Sequence, residues 1–62
     1  MADYTYPMLM AQNALRLLHE AMQSNDYDAA LKQAYDALAE TKLTCALVKD
    51  LVDQRKYQLQ EN

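Results

Sequence analysis

Ser24-Asn25-Asp26 is the stretch that decides how this 62-residue chain folds. All three residue types favour turns and helix N-caps, because their short polar side chains bind free backbone N–H groups. Asp26 and Asp28 also place negative charge where a following helix has the positive end of its dipole. The chain is therefore expected to reverse here and to restart as a helix at about Asp26. A connection this short makes the two flanking helices antiparallel neighbours.

Upstream of the turn, Pro7 suits the first turn of a helix, where its missing N–H costs nothing. Apolar residues then fall at Met8, Ala11, Leu15, Leu18 and Met22, in alternating steps of three and four. A second row, Met10, Ala14, Leu17 and Ala21, widens the stripe. Gln12, Asn13, Arg16, Glu20 and Gln23 fill the opposite side. That is the pattern of an amphipathic helix, predicted over about 7–23, with residues 1–6 as a short N-terminal arm.

Downstream, Gly, Pro, Asn and Ser are all absent between Asp26 and Gln60. The apolar seam runs Tyr27, Leu31, Ala34, Leu38, Thr41, Cys45, Val48, Val52, Arg55 and Leu59, with a parallel row at Ala30, Ala37, Leu47 and Leu51. One long helix over about 26–59 is the reading this favours. Glu40-Thr41-Lys42-Leu43-Thr44 is its weakest stretch, and a break there would give three helices. Asp28–Lys32 and Lys49–Asp53 are spaced to pair along the helix surface.

Composition narrows the function classes. There is no Gly, Trp or Phe, and good helix formers dominate. No apolar run reaches the roughly 18 residues of a membrane span. A net charge of −3 argues against nucleic acid as the partner. Cys45 is the only cysteine, so no internal disulfide can form; a lone thiol behind an N-terminus without signal-peptide character points to a reducing, cytoplasmic setting. One histidine and one cysteine do not make a structural zinc site, and no cofactor motif is present. Small domains usually need some such staple. Oligomerisation is the one left.

The lengths say where association would occur. The predicted helices span about 25 Å and about 50 Å at the standard rise. The first can cover only half of the second. Leu43, Leu47, Val48, Leu51 and Val52 would stay in water, although burying each is worth roughly 1.5–3 kcal/mol. A dimeric helical bundle that buries them is the expected solution. Those five residues are the predicted self-association site.

The stretch Asn25-Asp26-Tyr27-Asp28-Ala29-Ala30-Leu31, followed by Ala34, Ala37 and Leu38, resembles the second helix of a tetratricopeptide repeat. In that family a polar turn and an aromatic precede small residues that let helices approach, and Ala30 and Ala37 occupy the small positions. Leu18 and Ala21 depart from the glycine and large aromatic that the family prefers in its first helix. The expected proline after the second helix is missing at Lys42. The resemblance covers half the chain and one repeat unit, whereas such repeats bury a core by stacking several. In general style the chain also looks like the small helical proteins of the early regions of temperate bacteriophages, which would imply a regulator that binds a host or phage protein.

Individual residues support an interaction protein rather than an enzyme. His19 lies at the edge of the apolar stripe with no serine or cysteine nearby in sequence, so no acid, base or nucleophile set forms around it. Cys45 falls on the seam, where a thiol packs as a small hydrophobe. Met8 and Met10 suit either a core or an adaptable interface, and Tyr4 and Tyr6 either anchor a partner or fold back over the first helix. These four are the candidate partner-binding residues. Lys42, Lys49 and Lys56 recur every seven residues, which keeps a small DNA-associated regulator as the alternative, although Asp50 and Asp53 dilute that stripe.

Overall fold

A computed structural model describes the backbone of residues 3–61 and the side chains of residues 3–56. Two helices account for nearly all of it: α1, Thr5–Gln23, and α2, Tyr27–Glu61. They pack side by side as an antiparallel hairpin. This is the all-α architecture expected from the turn.

The turn works through its backbone. Asn25 has φ of 58°, the left-handed conformation that Asn tolerates better than most residues. Its N–H donates to Met22 O at 3.1 Å, and the Asp26 N–H donates to Ala21 O at 2.9 Å. These two bonds form a Schellman closure, which satisfies carbonyls that the end of α1 leaves free. Asp26 then opens α2. Its Oδ1 accepts from the Ala29 N–H at 3.3 Å, and its backbone carbonyl accepts from the Ala30 N–H at 3.0 Å. One residue thus closes the first helix and caps the second.

The N-terminal boundary differs from expectation. α1 begins at Thr5 rather than Pro7, because Asp3 Oδ1 accepts the Thr5 N–H at 2.9 Å and starts the first turn earlier. Thr5 and Tyr6 are helical and do not belong to an arm; Met1 and Ala2 lie outside the described residues. Pro7 still falls in the first turn, and it is buried.

α2 is unbroken through Thr41. The Thr41 hydroxyl donates to Ala37 O at 2.7 Å, and the Thr44 hydroxyl donates to Glu40 O at 2.9 Å. Both β-branched residues thereby satisfy their polar groups within the helix. The side chain of Leu59, assigned to the seam, lies outside the described residues. Among those described, the pairs expected at Asp28–Lys32 and Lys49–Asp53 do not form. The ion pair present is Arg16–Glu20, with Asn13 accepting a second Arg16 N–H at 2.8 Å. It is exposed at both ends, so it adds little.

The packing between the helices departs most from the sequence reading. Among the described residues, the buried hydrophobic ones are Pro7, Ala11, Ala14, Ala30 and Ala37. Leu15, Leu31 and Leu38, assigned to the seams, are each more than half exposed, and Met22 and Tyr27 are exposed as well. The closest line of approach is instead a seven-residue repeat of compact side chains. On α1 it is Pro7, Ala14 and Ala21, and on α2 it is Ala30, Ala37 and Thr44, all buried or half-buried. Small residues at the crossing let helix axes come to the short end of the usual 8–10 Å range. The larger apolar residues are displaced to the flanks.

Candidate protein-interaction surface

Each flank follows from its neighbour on the alanine line. A step of one residue turns a helix by about 100°. In an antiparallel pair, a forward step on either helix leads to the same broad side of the hairpin. The residues following the line are Met8, Leu15 and Met22 on α1, and Leu31, Leu38 and Cys45 on α2. All six are apolar. The residues preceding it are Tyr6, Asn13, Glu20, Ala29, Asp36 and Leu43. Half of those are polar. The hairpin therefore has one apolar broad side and one mixed side.

The mixed side holds a groove of about 320 Å³ between the helices, lined by Met10, Asn13 and Leu17 of α1 and Gln33, Asp36 and Glu40 of α2. The apolar side continues along α2 past the start of α1. There a shallow recess of about 520 Å³ is lined by Thr41, Thr44, Cys45, Val48, Lys49 and Val52.

The predicted self-association residues divide between two rows. Val48 and Val52 share the row of that recess. Leu43 precedes Thr44 and lies on the mixed side, Leu51 continues the line one heptad beyond Thr44, and Leu47 falls between them, with Leu43 and Leu51 about half exposed. The α2 overhang is thus apolar on two adjacent faces. The four candidate partner-binding residues also divide. Tyr6 precedes buried Pro7 and Met8 follows it, so they leave α1 on opposite sides. Tyr4 joins Met8 and Met10 joins Tyr6 by the helical step of four. Tyr6 is 68% exposed and does not fold back over the hairpin. Sequence spacing alone did not separate these rows, because the line of contact between the helices had first to be known.

Other side chains carry less. Cys45 and His19 are both exposed. Lys42, Lys49 and Lys56 are exposed along one edge of α2. Asp53 shares that edge, in a chain of net charge −3. No three described His, Cys, Asp or Glu side chains converge on a common point. Among the described residues, no helix is long and apolar enough to cross a membrane. No protein-family model, curated protein or solved structure matches this chain.

Proposed function

We propose that this chain is a non-enzymatic interaction module: a helical hairpin that completes its core by self-association and, as a regulator or adaptor, holds a second protein. One observation carries the reading. The buried hydrophobic core amounts to Ala11, Ala14, Ala30 and Ala37 beside Pro7, while thirteen large apolar side chains among the described residues are exposed. An alanine methyl contributes only about 0.8 kcal/mol on burial, against roughly 1.5–3 kcal/mol for a leucine or methionine. A hairpin that hides its alanines and shows its leucines is half of a larger core.

The mixed side supplies the surface for the second protein. By helical step, Tyr6 and Met10 of α1 and Leu43 and Leu47 of α2 fall on this side near the start of α1, beyond the polar groove at Asn13, Gln33 and Asp36. Aromatic and methionine side chains placed there suit a helical or extended peptide of another protein.

Light scattering across a concentration series tests the reading. A dimer or higher assembly at tens of micromolar is expected, and a strict monomer at high micromolar concentration would sink it.

A further inference from the structure

The rows assigned to the seams have a regular spacing that the hairpin uses only in part, burying Ala11 and leaving Leu15, Met22, Leu31 and Leu38 exposed. Met8, Ala11, Leu15, Leu18 and Met22, and Tyr27, Leu31, Ala34, Leu38, Thr41, Cys45, Val48 and Val52, advance in alternating steps of three and four. Such a pattern marks the centre of a helical bundle. In the hairpin, the helices touch along the alanine line, one residue to the side of these rows. The seams therefore point between the partner helix and the apolar broad side. That direction is the core of a bundle with a second layer of helices.

We infer that a second copy of this chain docks, antiparallel, on the apolar broad side and closes a four-helix bundle. The inference rests on the self-association reading and adds its face and its orientation. The occupant follows from area. The chain exposes 5214 Å², about 1,100 Å² more than the roughly 4,100 Å² of a compact monomer of this mass. A standard dimer interface buries about 800 Å² per partner. The excess is large enough for an interface with one equal-sized partner. Exposed large apolar side chains run along the length of the hairpin, at Leu15, Met22, Leu31 and Leu38, as well as at the α2 end.

The orientation follows from the unequal helices. A two-fold axis along the bundle would put both α2 overhangs at one end, each facing only the other across the bundle and neither covered by an α1. A two-fold axis across the bundle sets α2 head to tail against the second copy's α2. The apolar ladder Leu31, Leu38, Cys45 and Val52 then matches itself, Leu31 levelling with the second copy's Val52 and Leu38 with its Cys45. In that register the second copy's α2 covers the recess at Cys45, Val48 and Val52, and its α1 comes level with the overhang. Lys42, Lys49 and Lys56 fall at the rim, where bundles hold their flanking charges. The mixed side stays free for another protein.

Two measurements test this on the full chain. The first is the dimer dissociation constant by sedimentation equilibrium. Leu31→Asp with Leu38→Asp is expected to weaken association at least tenfold, and Leu9→Asp, on the back of α1, to leave it unchanged. The second is a spin-label distance between turns, read from Ser24→Cys in a Cys45→Ser background. The antiparallel bundle predicts about 50 Å at the standard helical rise. This second measurement introduces no charge into the interface, so it decides the matter even where the Asp variants lose their fold. A monomeric wild-type chain overturns both self-association and this inference. A wild-type dimer indifferent to Leu31→Asp/Leu38→Asp overturns the face alone, and a turn-to-turn distance below about 25 Å, two helix diameters, overturns the orientation alone.

Discussion

Asn25 and Asp26 do more at the residue scale than any others in the chain. A left-handed φ at Asn25 would cost most L-residues about 1–2 kcal/mol. Asn25→Ala should therefore lower stability in urea titrations by about 1 kcal/mol, whereas Asn25→Gly should stay close to wild type, because glycine accepts that conformation freely. Asp26→Ala removes the acceptor of the Ala29 N–H and should cost about 1 kcal/mol. Both residues were legible in the sequence as a turn, because their chemistry is local. At the other end, the Thr5 backbone N–H, and then the Thr5 hydroxyl, hold the Asp3 carboxyl below its ordinary value. With the folded value depressed, Asp3 favours the first turn fully at neutral pH and loses that effect as pH falls through the lowered value. An NMR titration should place the Asp3 carboxyl midpoint below that of the unfolded chain, with Thr5 amide protection falling over the same range. Equal midpoints would remove this account of the early helix start.

At the scale of elements, the alanine line explains why the helices approach along a path the apolar pattern did not mark. Periodicity weighs apolar residues by position and not by volume, so the alanines entered as members of a wide stripe, and only Ala30 and Ala37 were marked, through the repeat resemblance, as positions of close approach. Close approach selects small side chains, and Pro7, Ala14, Ala21, Ala30, Ala37 and Thr44 supply one on every second turn. Enlarging the line should therefore hurt: Ala37→Leu is expected to destabilise by about 1–3 kcal/mol through overpacking. Thr41→Ala should have the opposite sign. It removes a hydroxyl bonded back to Ala37 O and improves helix propensity, for a gain of a few tenths of a kcal/mol. Circular-dichroism melts of the two variants at one protein concentration check both signs.

For the whole molecule, extension is the informative quantity. The radius of gyration is 16.0 Å, with principal extents of 56 × 14 × 13 Å, whereas a compact domain of this length has a radius near 10.5 Å. A rod two helices thick has no interior deep enough for a leucine, which is why its buried residues are alanines and a proline. If association supplies the missing core, the melting temperature should rise with protein concentration, since a partner that binds only the folded chain stabilises it by mass action. A melting temperature constant over a hundredfold concentration range would mean that the hairpin stands alone. By itself, the sequence determined the two helices, the turn between them and the inequality of their lengths. These rest on local propensities, capping and periodicity, each confined to a few neighbouring residues. Only the tertiary structure decided which side of each helix meets the other, and so that the leucine seams lie open on one broad side. That choice depends on how closely two surfaces can approach, and neither helix carries that distance alone.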